Sequence, residues 1–213
     1  EFADVLTDAQ EMGYAESDPS FDVDGIDTAH KLAILTSVAF GCRINFDDIA
    51  VEGIRHVTAL DIRFAEELGY RIKLLGITRR TKDGVEQRVH PCMVRQESPI
   101  AHVDGVSNAI VAEGNFVGST VYQGAGAGAG PTASAVAADL VDIARKSRRP
   151  VFGFPSASLA SLPTVPMDQH EGAYYIRLMV VDLPGVFADV AATLRDEQVS
   201  MEAILQHTPA SGE

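Results

Sequence analysis

Two pairs of apolar segments, each separated by a glycine-containing turn, constrain the fold of this chain more than any other feature. The segments are Arg71–Thr78 with Val85–Val94, and Val106–Glu113 with Phe116–Gln123. Apolar segments joined by such short turns are typical of antiparallel β-hairpins. The sequence therefore predicts two hairpins in the middle of the chain.

Segments with apolar residues at helical spacing surround these hairpins. They are Phe2–Met12, Ile26–Phe40, Thr58–Leu68 and Ala133–Lys146. The second helix is predicted to end at Gly41 and to bury one apolar face. That face consists of Leu32, Leu35, Val38 and Ala39. Together these elements predict a mixed α/β (α+β) fold in which helices cover a largely antiparallel sheet.

A change of composition predicts a boundary late in the chain. Arg148–Pro166 is rich in proline and serine, as linkers are. The pattern then restarts as a strand, a helix and a second strand: Tyr174–Val181, Val186–Glu197 and Val199–Leu205. The chain therefore divides into three predicted parts: residues 1–149, a linker at 150–170, and a partial βαβ unit at 171–213.

Charge and composition exclude several classes of partner. The net charge of -13 at pH 7 argues against nucleic acid and anionic membrane surfaces, which attract clustered Lys and Arg. No apolar run approaches the roughly 20 residues of a membrane-spanning helix. Cys42 and Cys92 lie far apart, and no His or Cys residues show metal-ligand spacing, so neither a disulfide framework nor a metal site is predicted. The chain opens without Met or a signal-peptide pattern, which favours a cytoplasmic piece of a longer protein.

The run Gly13–Lys31 concentrates negative charge and closes on a single lysine. Its carboxylates are those of Glu16, Asp18, Asp22, Asp24 and Asp27. A calcium loop is disfavoured because Lys31 stands where the bidentate glutamate belongs. Two interpretations stay open. In the first, Asp24 or Asp27 caps the following helix and Asp27 pairs with Lys31 four residues on. In the second, a partly desolvated cluster of carboxylates, interrupted by Tyr14 and Phe21, binds an amino group while Lys31 handles a proton or an oxyanion.

The segment GYAESDPSFDVDGIDTAHKLAIL, beginning at Gly13, resembles the substrate-binding segment of homoserine dehydrogenases. The resemblance continues through HPCMVRQESPIAHVDGVSNAI and GAGAGAGPTASAVAADLVDIA, and it covers nearly all of residues 1–149. It implies an NAD- or NADP-dependent oxidoreductase that reduces L-aspartate 4-semialdehyde to L-homoserine, in the biosynthesis of threonine and methionine. It also implies a homodimer or tetramer assembled through this part of the chain.

The same resemblance assigns roles within the acidic run. Glu16 and Asp22 are expected to hold the ammonium group of the substrate, and the backbone of Tyr14 to border the pocket. Lys31 is expected to stabilise and protonate the reacting carbonyl oxygen, with Asp27 orienting it. The family uses a second lysine from a nucleotide-binding domain that this sequence lacks. The chain alone is therefore predicted to be inactive.

The glycine-rich run Gln123–Val136 contains the pattern G-x-G-x-x-A. No second strand ending in an acid follows it, so it does not predict a Rossmann fold. Either its glycines only permit a close turn before the helix, or, as the resemblance implies, the loop borders the active site and the backbone N–H groups of Gly124, Gly126 and Gly128 face NAD or NADP or the substrate carboxylate. In the second case most of the cofactor is bound by a domain outside this chain.

The last segment resembles the first half of an ACT domain, a small regulatory fold. Asp182, Pro184 and Gly185 match the loop that contacts an effector amino acid in such domains, and the expected effector is threonine. Ordinary βαβ packing is the alternative explanation of this pattern. A different class of function also stays open, in which the chain is a non-enzymatic amino-acid sensor that acts through this segment.

Overall fold

The structure, a computed structural model, describes residues 2–11, 18–181 and 183–206. Its helices are α1 (Phe2–Glu11), α2 (Ser20–Val23), α3 (Ile26–Phe40), α4 (Ala59–Glu67), α5 (Ala129–Ala144) and α6 (Val186–Asp196). Its strands are β1 (Ala50–Val51), β2 (Tyr70–Arg80), β3 (Val85–Arg95), β4 (Ser107–Gly114), β5 (Gly118–Ala125) and β6 (Thr164–Val165). The mixed α/β class predicted from the sequence is confirmed.

Strand β3 is the centre of the larger sheet. It pairs antiparallel with β2 along its whole length, from Tyr70 opposite Arg95 to Arg80 opposite Val85. The short strands β1 and β6 run parallel to β3, and they share the edge that β2 leaves open. The sequence did not predict these two strands, because two residues are too few to show an alternating pattern.

The second hairpin, β4 and β5, forms a separate two-stranded sheet. Its register runs from Ser107 opposite Ala125 to Gly114 opposite Gly118. Its existence was predicted, but β5 begins two residues later than expected. The reason is that the turn extends to Gly118, whose φ of +74° a side chain would disfavour.

The apolar core lies where α3 packs against the larger sheet. Its buried members are Ala29, Leu32, Ala33, Ile49 and Val89. The predicted apolar face of α3 is wrong beyond Leu32, since Leu35 and Val38 are 37% and 48% exposed. The helix instead turns small residues, including Ala29 and Ala33, towards the sheet. Small residues allow close approach, and at Gly76 of β2 a Cβ atom would lie 3.1 Å from Thr28 Cγ2.

Part of the predicted linker packs against the end of α3 and the larger sheet. Leu159 is buried, and Ala160 forms two backbone hydrogen bonds with the residues that follow α3. Arg43 N donates to Ala160 O at 2.9 Å, and Ala160 N donates to Gly41 O at 3.0 Å. Val85 N then donates to Pro163 O at 2.8 Å, just before β6 joins β3. The Pro/Ser-rich composition gave no sign of these contacts because most of them use the backbone.

The predicted βαβ arrangement near the end of the chain is wrong in the structure. Helix α6 is present, but residues 174–181 and 199–205, all of them described, form no strand. A strand needs a neighbour to satisfy its backbone groups, and these segments have none within the described ranges. Two side chains of the first segment, Tyr175 and Arg177, contact the start of α4 instead.

Candidate functional site

The described part of the acidic run folds into two helices joined at a sharp corner. Gly25 forms this corner with φ +79°, and it is the N-cap residue of α3. No side chain makes a capping hydrogen bond there. The hypothesis that Asp24 or Asp27 caps this helix is therefore wrong, and both carboxylates are used in other ways.

Asp27 and Lys31 form an ion pair on the exposed side of α3. Lys31 Nζ lies 2.6 Å from Asp27 Oδ2, as their spacing of four residues predicted. The lysine side chain remains 58% exposed. Its ammonium group is thus oriented by one carboxylate and still open to a ligand.

Two further carboxylates of the run are engaged by neighbouring groups. Asp18 accepts a hydrogen bond from Ser20 N at 3.0 Å, and its bonds with Ser20 hold its pKa below the ordinary value. Asp24 binds the guanidinium of Arg55, which donates from Nη2 at 3.0 Å and also from Nε. These bonds hold the pKa of Asp24 below its usual range.

Asp22 differs from these neighbours. It lies in α2 and is exposed, and its carboxylate makes no hydrogen bond or ion pair with any residue that the structure describes. Tyr14 and Glu16, the other predicted substrate residues, lie outside the described residues. The arrangement therefore brings together a paired lysine and an available carboxylate on adjoining helices.

An aromatic stack fastens α2 to α3 beside these groups. The ring of His30 lies between Phe21 and Phe46, with ring centroids 5.4 Å and 4.3 Å away and edge-on geometry. His30 thus has a packing role. The stack also places Phe21 next to Asp22, the available carboxylate.

The glycine-rich run lies on a different surface, at the junction of β5 and α5. Gly124 and Gly126 line an open depression of about 290 Å³ together with Asn108 and Tyr122. A Cβ atom at Gly126 would lie 1.9 Å from Asn108 Nδ2, so a side chain there would require Asn108 to move. Helix α5 begins at Ala129, four residues earlier than predicted, directly after Gly128.

The predicted effector loop is described only in part. Pro184 and Gly185 form the turn before α6, and Gly185 has φ +99°. Asp182 lies outside the described residues. The turn geometry agrees with the sequence, but the pairing of strands that would surround an effector is not formed.

The described ranges contain neither a cluster of metal ligands nor a helix that could cross a membrane. Within them, no three His, Cys, Asp or Glu side chains converge as a metal site requires. No helix there has the length and apolar character needed to cross a bilayer. Cys42 and Cys92 are free thiols, and burial raises the pKa of both.

Sequence reasoning missed a polar cluster at the start of α4. Asp61 forms a capping box with Thr58 and accepts a hydrogen bond from Tyr175 Oη at 3.0 Å. Arg177 Nε lies 3.1 Å from the same carboxylate. Burial, together with the bond to Asp61, raises the pKa of Tyr175 to about 12. The capping motif Thr58-x-x-Asp61 was visible in the sequence, whereas its partners lie more than 100 residues away.

Comparison with known proteins adds an independent finding. Residues 1–141 match the family model for homoserine dehydrogenase. The homoserine dehydrogenase of Pseudomonas aeruginosa is 49% identical over 211 residues, which cover 96% of this chain and 49% of the relative. The chain therefore spans about half the length of the curated relatives it matches.

Solved structures give the same result. A homoserine dehydrogenase from Thiobacillus denitrificans superposes with a TM-score of 0.84 at 46% identity, covering 96% of this chain and 49% of that one. A hyperthermophilic archaeal homoserine dehydrogenase mutant, solved in complex with NADPH, superposes with a TM-score of 0.53 at 31% identity. This second match covers 68% of the chain and 41% of the archaeal protein.

Proposed function

Because the chain belongs to the homoserine dehydrogenase family, we propose that it carries the substrate pocket of an enzyme that reduces L-aspartate 4-semialdehyde to L-homoserine. The observation that carries this proposal is the Asp27–Lys31 ion pair, with Asp22 available on the adjoining helix. A substrate with an ammonium group and an aldehyde needs these two kinds of partner. Family membership favours this enzyme over a non-enzymatic sensor.

Lys31 is the proposed proton donor. As hydride adds to the aldehyde carbon, negative charge develops on the carbonyl oxygen, and an ammonium group beside that oxygen stabilises it and can transfer a proton to it. Asp27 lies 2.6 Å from the lysine and orients its ammonium group. In the reverse direction the neutral lysine accepts the proton of the hydroxyl group.

Asp22 is the proposed partner of the substrate ammonium, together with Glu16 and the backbone of Tyr14. Asp22 is suited to this role because no described residue engages its carboxylate. A carboxylate already held in an ion pair would have to give up that partner first. Glu16 and Tyr14 are assigned by the family resemblance alone.

NADPH or NADH, when bound, supplies the hydride. The glycine-rich run is the part of this chain that we propose borders the cofactor, through Gly124, Gly126 and Gly128 at the start of α5. Glycine has no side chain to cover the backbone at these three positions, and the backbone N–H groups at a helix N-terminus favour an anionic group. Most of the cofactor contacts are proposed to come from a nucleotide-binding domain outside this chain.

The experiment is a kinetic comparison in the full-length protein. Lys31→Ala should lower kcat for homoserine oxidation by about 100-fold or more, the usual effect of losing a positioned proton donor. Lys82→Ala is the matched control, because Lys82 is an exposed lysine in the turn of the first hairpin and is not part of α2 or α3. A Lys31→Ala variant with near-normal kcat would remove the basis for the catalytic assignment.

Assembly, regulation and location complete the proposal. We propose a homodimer or tetramer formed through the second hairpin and α5, whose apolar side chains include Ile110, Val121 and Leu140, all more than 40% exposed. Threonine is the proposed effector at the Pro184-Gly185 turn, and calorimetric titration of the full-length protein with threonine tests this.

The proposed compartment is the cytoplasm, where both free thiols stay reduced.

A further inference from the structure

Helix α2 is too short to hold its own position, yet it carries Asp22. It has four residues, and its N-cap residue Pro19 makes no side-chain capping bond. Isolated helices shorter than about 12 residues are marginal in water. Groups outside the helix must therefore fix the place and direction of Asp22.

The segment Gly53–Arg55 supplies the first of these contacts through its backbone. Ile54 N donates to Val23 O, the last residue of α2, at 2.9 Å. Gly53 lies so close that a Cβ atom on it would be 2.5 Å from Asp24 Cα. The helix end and this segment are thus in direct backbone contact.

Arg55 adds a side-chain contact at both ends of α2. Its Nη2 donates to Ser20 Oγ at 3.1 Å and to Asp24 Oδ2 at 3.0 Å, and its Nε donates to Asp24 Oδ1. One planar guanidinium therefore bridges the first residue of the helix and the residue that follows its end. Such a forked contact fixes direction as well as distance.

We propose that Arg55 is a positioning residue for substrate binding, which holds α2 so that Asp22 faces the substrate ammonium. This inference rests on the function proposed for Asp22. Arg55 also occupies Asp24, whose carboxylate lies two residues from Asp22 and would otherwise compete for the ammonium. Since both partners are exposed, the ion pair contributes little to folding stability. Its loss is therefore expected to weaken substrate binding more than it lowers the stability of the fold.

Steady-state kinetics of the full-length protein test this role. Arg55→Ala should raise KM for homoserine by about 10-fold or more, with a smaller change in kcat, because a displaced carboxylate binds the ammonium poorly in ground and transition state alike. KM for the nicotinamide cofactor and the melting temperature should stay near the parent values. Arg55→Lys should lie between, since an ammonium group cannot span Ser20 and Asp24 as the fork does. Arg195→Ala removes another exposed ion pair, with Asp196, and should leave KM unchanged.

A double-mutant cycle distinguishes positioning from direct contact. If Arg55 acts through Ser20 and Asp24, adding Arg55→Ala to a Ser20→Ala/Asp24→Ala background should raise KM little further. Multiplicative effects would mean that Arg55 touches the substrate itself, and they would overturn the inference, as would an unchanged KM in Arg55→Ala alone. Calorimetry with homoserine distinguishes failure of the proposed function from failure of the role proposed for Arg55. A parent protein that neither oxidises nor binds homoserine overturns the proposed function and this role together, whereas an active parent with a normal Arg55→Ala variant overturns this role alone.

Discussion

The region from α2 to the short turn at residue 102 differs sharply from the region that contains β4, β5 and α5. The first contains nearly all the buried apolar residues, including Leu32, Val89 and Ala101. In the second, α5 buries no residue, and Leu140 and Ile143 are 61% and 72% exposed. Both regions have regular secondary structure, but only the first has a core of its own.

This difference shows that a segment can form regular secondary structure without packing against the rest of its own chain. Helix α5 has the apolar content of a buried helix, yet none of its residues is buried in this chain. A large apolar face left open is typical of an interaction surface. The first region can therefore be tested as a folding unit and the second as a binding surface.

The largest expected effect is at Leu32, in the core of the first region. Leu32→Ala should lower the free energy of unfolding by about 2–5 kcal/mol, because it leaves a cavity against the larger sheet. Leu35→Ala, one turn away on the exposed side of the same helix, is the matched control and should cost much less. Urea unfolding of both variants makes the comparison. Equal losses would mean that the two sides of α3 are buried alike.

An intermediate effect is expected at Asp61, also in the first region. Burial opposes its ionisation, but the hydrogen bonds from Thr58 and Tyr175 together keep its pKa below the ordinary 3.8. A lowered pKa stabilises the fold fully above pH 3.8, and this stabilisation is lost as the pH falls through the lower folded value. Asp61→Asn should therefore cost about 1–2 kcal/mol at pH 7.

The difference between Asp61→Asn and the parent should shrink on acidification. Unfolding in urea at pH 7 and at pH 3 measures it, with Asp196→Asn as a control at an exposed carboxylate. A difference that stays constant across this range would show that the carboxylate charge is not what stabilises the start of α4.

The smallest effect on stability is expected in the second region. Leu140→Ser should change the free energy of unfolding by only about 0.5 kcal/mol, since the side chain is already exposed. The same substitution should weaken self-association of the full-length protein if α5 forms part of its subunit interface. Sedimentation equilibrium of the parent and the variant tests this. A large loss of stability in a monomeric sample would show that α5 packs within its own chain.

The sequence predicted the parts of the fold that depend on local patterns. Helix α3 has the predicted bounds, and the turn before Val85 produced the expected hairpin. The spacing of Asp27 and Lys31 predicted their ion pair because residues four apart share a face of a helix. The homoserine dehydrogenase family was likewise predicted from three motifs and is confirmed.

The failures share a different physical origin, which is contact between distant parts of the chain. Nothing near Asp24 in the sequence indicated Arg55, which lies 31 positions away. The buried side of α3 was wrong because the sheet selected small residues over large ones. The segment with Tyr175 was predicted as a strand because it is a nearly continuous apolar run, but Tyr175 and Arg177 contact the start of α4 and no described strand pairs with the segment.

The pairing of β6 with β3 has a consequence for how the chain can be divided. Thr164 and Val165 cover the edge of β3 at Val85 and Glu86, which would otherwise present unpaired N–H and C=O groups. Bare edges of this kind recruit strands from other molecules and lead to aggregation. A piece trimmed at residue 149, where the composition changes, would expose that edge, whereas one extended past β6 would keep it closed.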